Sequence, residues 1–223
     1  MDLKSLLNQA LKSDLLKQGG ADALGKQTNN IKSSSNSSSL KTLGAGAVGG
    51  GLIGMLMGSK KSKKMTKKIG SGALKVGGAA ALGALAYKVY NDWQAKQSGQ
   101  GVHETFDPDD SKHSVLILKA MIGAAKADGH VDEEEMARIE QALADMGADE
   151  HVRQLVQQEL NKPLDPAEIA NQATSPQQAS EIYLASLIVA DEQNFMEKAY
   201  LQELAKQLQL SPEVTQQLEV QVQ

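Results

Sequence analysis

Residues 127–135 read ADGHVDEEE, and the stretches on both sides of them have the spacing of apolar residues that is typical of helices. Gly129 is suited to the end of the first helix, because glycine readily adopts the backbone conformation that closes a helix. Asp132 is followed three residues later by Glu135, which is the capping-box pattern at a helix start. The first helix has its apolar residues at Val115, Leu118, Met121, Ile122 and Ala125. The segment therefore predicts two consecutive helices joined by a tight acidic turn.

The helical pattern continues to the end of the chain. Three later helix starts place an aspartate or a serine directly before a proline, as is favoured at the first position of a helix, at 165–166, 175–176 and 211–212. No stretch alternates between apolar and polar residues as a half-buried strand would. Residues 111–223 are long enough to bury one core, and we predict an all-α bundle of six or seven helices there, preceded by a linker at 94–110.

The charge of the chain is divided between its two halves. Residues 1–100 carry 15 lysines, no arginine and four acids, a net charge of +11, whereas residues 101–223 carry 8 basic and 23 acidic side chains, a net charge of −15. Such a division indicates two differently employed segments rather than one uniform domain. The chain has no cysteine, which excludes disulfides, thiol catalysis and cysteine-ligated metals.

The first 20 residues predict an amphipathic helix. Its leucines recur every four residues and form one apolar face, at Leu3, Leu7, Leu11 and Leu15. Such a helix can dock on the rest of the protein or lie in a membrane interface, and the sequence leaves both alternatives open. Residues 21–41 contain a run of serine and asparagine with nothing to bury, and we predict a flexible linker there.

Residues 42–59 contain no charged side chain, and a helix of this length would reach about 27 Å, close to the roughly 30 Å hydrocarbon core of a bilayer. Every fourth residue is a glycine, at Gly46, Gly50, Gly54 and Gly58. One face of the helix therefore lacks side chains, which lets another helix approach closely. The alternative is a flexible glycine-rich loop, which the apolar side chains at 52–57 disfavour. We predict a membrane helix that associates with a second helix, in the same chain or in a membrane partner.

A second apolar stretch at 69–90 predicts a returning helix, so that residues 42–93 would form a helical hairpin in the lipid bilayer. The aromatic residues at its end, Tyr87, Tyr90 and Trp93, are typical of anchors at a membrane interface. The connecting loop 60–68 contributes six lysines, at Lys60, Lys61, Lys63, Lys64, Lys67 and Lys68. Lysines in a short loop favour the cytosolic side, which would place the C-terminal domain on the opposite side.

Two helix junctions combine several carboxylates in a short turn. The first contains Asp128, Asp132 and Glu135, and the second contains Asp191 and Glu197. Clustered carboxylates can hold a hard cation such as Ca²⁺ or Mg²⁺. The spacing is not that of an EF-hand loop, and acids at helix starts also cap amides and complement the helix dipole without a metal. Capping is the favoured interpretation, and a divalent-cation site is the alternative.

The acidic turn at 127–135 between two amphipathic helices resembles the signature of the TerB-like (tellurite-resistance) helical domain. The wider layout is similar to that of YebE-like inner-membrane proteins, a family of unknown function. This similarity covers nearly the whole chain and includes the glycine-rich stretch that ends in aromatics, the sequence KPLDP at 162–166, Ile182-Tyr183 and Phe195-Met196-Glu197.

This resemblance implies a TerB-like fold and a bacterial inner-membrane setting, with the C-terminal domain on the periplasmic side if the loop charge sets the orientation. It carries acidic positions onto Asp128, Asp132 and Glu135. In the second junction Lys198 stands where the acid matching Glu135 would be, and this departure weakens any symmetric pair of metal sites.

No motif for enzymatic chemistry occurs in the sequence. The four histidines do not have the spacing of a metal site, and His113 is predicted to be exposed in a polar segment. Nucleophile-elbow, phosphate-loop and dinucleotide-binding patterns are missing, and we expect no enzyme. The lysine loop 60–68 has no interleaved aromatic or arginine residues to read bases, so we expect no nucleic-acid partner.

Two functional hypotheses follow from these patterns. The first is a membrane-anchored interaction or stress-response module whose acidic helical domain binds a protein partner and, as an alternative, a divalent cation. The second is a soluble regulatory or nucleic-acid-binding protein whose basic, glycine-rich first half is a disordered tail. Extraction from membranes distinguishes the two hypotheses.

Overall fold

The structure is a computed structural model and describes residues 1–9, 11, 74–98, 104–127, 129, 131, 133–190 and 194–222, with the side chains of 74–98 described from residue 79 onward. The predicted linker 21–41, the glycine-rich helix 42–59 with Gly46, Gly50, Gly54 and Gly58, and the lysine loop 60–68 lie outside these residues. All regular secondary structure in the described residues is helical, which confirms the predicted all-α fold class.

Nine helices occur in the described part of the chain. They are α1 (residues 3–9), α2 (Leu74–Ser98), α3 (Ser111–Ala125), α4 (Glu133–Asp145), α5 (Glu150–Asn161), α6 (Pro166–Ala170), α7 (Pro176–Val189), α8 (Phe195–Gln207) and α9 (Pro212–Val222). Seven of them fall within 111–222, in agreement with the predicted bundle of six or seven helices.

The starts of the later helices follow the predicted capping chemistry. Asp165 and Ser175 each precede a proline at the first helical position. The Asp165 carboxylate accepts a hydrogen bond from the main-chain N–H of Ala167 at 2.9 Å, and the Ser175 hydroxyl accepts one from Gln178 at 3.2 Å. These bonds satisfy amides that have no partner within the helix, which explains why the starts could be located from local sequence alone.

Helix α7 is the centre of the bundle. It packs most extensively against α2 and α3, and it also contacts α6, α8 and α9. Every residue from 177 to 189 is buried. The buried Ser186 hydroxyl has hydrogen-bond acceptors within the bundle. It lies 3.0 Å from the main-chain oxygen of Ile182 and 3.3 Å from that of Ala120. Because no face of α7 reaches water, its sequence needs no polar stripe.

Helix α2 differs from the membrane helix predicted at 69–90. Leu82, Ala86 and Tyr87 are at most 3% exposed and belong to the surface that α2 buries in the protein. Tyr90 and Trp93 are half-buried and pack against the same core. The apolar surface that the prediction assigned to lipid is thus covered by protein, chiefly by α7.

The bounds of α2 also differ from the prediction, because the helix continues to Ser98 and enters the stretch 94–110 that was predicted to be a linker. Within the described part of the chain, no helix is both long enough and apolar enough to cross a membrane. The prediction of a second membrane span is therefore corrected for residues 74–90.

Helix α1 docks on the bundle, which is one of the two alternatives left open by the sequence. Leu6 and Leu7 are 2% exposed and lie in the common core. The main-chain oxygen of Met1 accepts a hydrogen bond from Asp149 at 3.0 Å, and the Lys4 ammonium lies 2.9 Å from the Asp109 carboxylate. Residues of α1, α2 and the acidic half thus share one core, although their compositions differ sharply.

Candidate functional site

The residues predicted to bind a divalent cation are only partly described. Asp128, Asp132 and Asp191 lie outside the described residues. Glu135 and Glu197 lie in the first turns of α4 and α8 and are 4% and 6% exposed. Among the residues that the structure describes, no three side chains of the metal-binding types cluster. The cation site therefore stays a prediction.

A buried acid–histidine pair joins the two best-packed helices of the bundle. His113 lies in the first turn of α3 and Glu181 lies near the middle of α7. The Nδ1 atom of His113 is 2.7 Å from Oε2 of Glu181, and the two residues are 6% and 0% exposed. The other carboxylate oxygen, Oε1, has no hydrogen-bond partner in the described residues. A carboxyl group this deeply buried is rare in proteins, which makes the pair the most unusual polar feature of the core.

Aromatic rings cover the pair. The centroid of the Phe106 ring lies 4.5 Å from that of the His113 ring and 5.4 Å from that of the Tyr87 ring. The centroids of the Tyr87 and His113 rings are 5.7 Å apart. Gly83 of α2 makes this arrangement possible, because a Cβ atom there would overlap the Phe106 ring and lie 2.6 Å from Oε1 of Glu181. The loop before α3 and one glycine of α2 therefore close the pair off from solvent.

Burial dominates the electrostatics of this cluster. Burial raises the pKa of the Glu181 carboxyl to about 7, because a carboxylate loses its hydration there. The hydrogen bond and the charge of His113 act to lower that pKa, and the charge of Asp110 adds to the increase. Burial likewise raises the pKa of Tyr87 to about 12, with smaller increases from the charges of Glu104 and Glu181. The cluster can therefore hold a proton near neutral pH.

A second polar cluster lines a cavity of about 20 Å³ between α3, α5 and α6, beside the KPLDP segment at 162–166. Glu159 Oε1 lies 2.9 Å from the Lys162 ammonium and 3.5 Å from that of Lys119. Lys162 also lies 2.8 Å from Glu168. The Lys126 ammonium donates to the main-chain oxygens of Glu159 and Lys162. The cavity has room for about one water molecule, and the ion pairs of Lys119 and Lys162 with Glu159 and Glu168 connect α3, α5 and α6 around it.

Two large apolar side chains lie exposed at the start of α8. Phe195 is 80% exposed and Met196 is 57% exposed, whereas the adjacent Glu197 is buried. The first turn of α8 thus directs its acid inward and its apolar side chains into solvent. Single exposed apolar residues are common, but an adjacent phenylalanine and methionine with this much free surface form a candidate contact site.

Sequence reasoning missed the His113–Glu181 pair and wrongly predicted that His113 is exposed. The signal for His113 was its position one turn before Ile117 and two turns before Ala120, which are both fully buried. Glu181 gave no comparable signal, because all sides of α7 are buried and no periodicity marks one residue. The contact also joins residues 68 positions apart, which local patterns cannot reveal.

The described helices form an all-helical bundle with buried polar clusters. The chain belongs to the family described as "Protein of unknown function (DUF533)", whose model matches residues 42–222. It is 35% identical over 112 residues to the "Uncharacterized protein in ampR 5'region" of Yersinia enterocolitica, a match that covers 50% of this chain and 80% of the relative. No solved structure matches the chain. The TerB-like character is thus confirmed at the level of the family, and the narrower YebE-like assignment stays a prediction.

Proposed function

We propose that this protein is a non-enzymatic helical module that binds a protein partner through Phe195 and Met196. The observation that carries the proposal is the exposure of these two adjacent side chains, 80% and 57%, at the start of α8. Aromatic residues and methionine are enriched at protein interfaces, because they bury a large apolar area with little loss of conformational freedom. Truncating an aromatic residue at the centre of an interface weakens binding by about tenfold or more.

Photo-crosslinking in cells tests this contact. A photo-reactive phenylalanine analogue at position 195 of the full chain should give a discrete adduct with one protein, whose yield falls in a Met196→Ala background. The matched control is the same analogue at Val220, an apolar side chain of α9 that is 60% exposed. The purified partner should then bind Phe195→Ala about tenfold more weakly than the wild type or Val220→Ala. Equal labelling from positions 195 and 220 would contradict the proposal.

The second part of the proposal is attachment to a bilayer through the glycine-rich segment 42–59. Since α1 and α2 pack in one core, the two helices lie on the same side of any membrane. A single crossing by 42–59 would separate the two helices. We therefore propose that the segment enters the bilayer from one face without crossing it, with the lysines of 60–68 at anionic headgroups. Under this proposal the loop and the C-terminal domain lie on the same side of the membrane, in contrast to the periplasmic placement predicted from loop charge.

Cysteine labelling tests this topology, because the natural chain has no cysteine. Single variants Ser35→Cys and Ser98→Cys flank the segment, and both should react with a membrane-impermeant maleimide from the cytosolic side. Reaction from opposite sides would contradict entry from one face. The wild type should also stay with membranes through a high-salt wash, whereas Ile53→Lys should be released. Release of the wild type would instead support the soluble alternative.

A further inference from the structure

The His113–Glu181 pair occupies the place where three helices meet. Glu181 belongs to α7, His113 to α3, and Gly83 of α2 lies directly against Oε1 of Glu181. Phe106 covers the same point from the loop that joins α2 to α3. A change in the charge of this pair therefore acts on the contact between α2 and the rest of the bundle.

The number of protons on the pair determines its charge. With one proton, the pair is neutral overall, whichever partner carries it, and the 2.7 Å contact satisfies Oε2. Without that proton, a carboxylate remains at a position of 0% exposure, with Oε1 facing Gly83 and no hydrogen-bond donor for it in the described residues. An uncompensated buried carboxylate is strongly unfavourable, so loss of the proton favours an opening that admits water to Oε1.

Among the described side chains, none of the helices around the pair provides a lysine or arginine that pairs with Glu181. The charge of Asp110, at the start of α3, acts on Glu181, and the Tyr87 ring of α2 contacts the His113 ring. Glu104, in the loop after α2, acts on Tyr87. On the α9 side, Glu219 accepts a hydrogen bond from Tyr183 at 3.0 Å. Of these neighbours, Asp110 acts directly on Glu181, and its negative charge opposes deprotonation of the carboxyl group.

We propose that His113 and Glu181 form a proton-sensitive joint: with one proton the pair holds α2 and Phe106 against α7, and loss of that proton above neutral pH loosens α2 from the core. The proposal is independent of the partner contact at Phe195, which lies on another helix. It assigns to the TerB-like bundle a response to alkaline pH that is built into its central contact.

Tryptophan fluorescence reports on this motion, because the one tryptophan of the chain, Trp93, lies on α2. The centroid of its ring is 5.4 Å from that of Tyr90. In the full chain, raising the pH from 6 to 8.5 should move the Trp93 emission to longer wavelength. Amide hydrogen exchange of residues 82–89 should accelerate about tenfold more than base catalysis of exchange alone explains. A tenfold change corresponds to a difference of about one unit in the pKa of the His113–Glu181 pair between the closed and open states. Amides in α5, whose polar contacts with α3 are made to Lys119 and, at the end of α3, to Lys126, should not show this extra acceleration.

Glu181→Gln keeps the size of the side chain but removes its titration, so both responses should disappear. Glu219→Gln is the matched control, because it removes a carboxylate that also contacts α7 but is half-buried and paired with Tyr183, and it should respond like the wild type. An unchanged α2 in the wild type at pH 8.5, or the same response in Glu181→Gln, would overturn the proposal.

Infrared spectroscopy keeps the test valid if Glu181→Gln does not fold. The wild-type chain at pH 6 should show the carbonyl absorption of a protonated, buried carboxyl group, and this signal should be lost together with α2 protection as the pH rises. Loss of the signal without any change in α2 would refute the coupling, and retention of the signal at pH 8.5 would refute the release of the proton.

Discussion

Glu181 and Glu159 are two largely buried glutamates of the same bundle with opposite surroundings. Glu181 is fully buried, and one histidine contacts only one of its oxygens. The Glu159 side chain is 11% exposed and lies between the ammonium groups of Lys162 and Lys119. Burial alone therefore does not determine the charge of a carboxyl group, because two lysines stabilise the carboxylate of Glu159 whereas Glu181 shares a proton with one histidine.

Removal of one partner of the carboxyl group at each site should give the largest difference in stability between the two glutamates. His113→Ala leaves a fully buried carboxyl without its hydrogen bond, and we expect a loss of about 3–5 kcal/mol in the free energy of unfolding at pH 8. Lys162→Ala should lose about 1 kcal/mol or less, because Lys162 is 38% exposed and Glu159 retains Lys119. Urea denaturation of the full chain measures both values. Equal losses would show that the two sites do not differ as described.

A substitution that disturbs the close approach of α2 to Glu181 should have the next largest effect on stability. Gly83→Ala should destabilise the protein by about 2 kcal/mol, because the new Cβ overlaps Phe106 and lies 2.6 Å from Oε1 of Glu181. In an exposed helix the same change would stabilise by about 1 kcal/mol. The control is Ala84→Gly at the adjacent exposed position, which should lose only about 1 kcal/mol. A stabilising Gly83→Ala, measured by thermal unfolding, would mean that α2 does not pack against the pair.

The pH dependence of the free energy of unfolding should also differ between the two glutamates, by a smaller amount. The pKa of Glu181 is raised from 4.5 to about 7 in the folded state, so its proton stabilises the fold fully below about 4.5, and this contribution is lost as the pH rises through about 7. Between pH 6 and 8 we expect a loss of about 1 kcal/mol that Glu181→Gln abolishes. Glu159→Gln should retain the loss. Denaturant midpoints at the two pH values provide the measurement, and a wild type whose stability rises over this range would reverse the assigned sign.

Substitution of the acids at the start of α4 should have the smallest effect on stability. Asp132→Asn and Glu135→Gln should each lower stability by about 1 kcal/mol or less, by the same amount with and without millimolar Ca²⁺ or Mg²⁺, if these acids cap α4. The full chain is required, because α1 and α2 contribute to the core. A cation-induced rise in the melting temperature that Asp132→Asn removes would instead support the divalent-cation site.

The parts of the fold that could be predicted are those specified by neighbouring residues. Asp165 and Ser175, each followed by proline, locate two helix starts without any knowledge of the tertiary structure. The all-α class follows in the same way from the spacing of apolar residues.

The docking of α2 could not be predicted, because an apolar helix surface has the same pattern whether lipid or protein covers it. Leu82 and Ala86 face α7, which lies about 100 residues later, and only the tertiary contact distinguishes the two environments. The His113–Glu181 pair could not be predicted from the sequence for a related reason. His113 occurs in a polar segment and its partner lies in a helix with no exposed face, so neither residue looks unusual in isolation.

The central position of α7 has a consequence for synthesis on the ribosome. The side chains of α2 that pack on the core are made long before α7, which covers them most extensively. This covering surface is missing until Val189 has been added and has left the exit tunnel. At about 5–20 residues per second, roughly 100 residues of translation leave the α2 surface uncovered for about 5–20 s. During that interval the nascent chain presents Leu82, Ala86 and Tyr87 to chaperones and targeting factors, so the order of translation gives them an opportunity to engage α2 before the bundle closes.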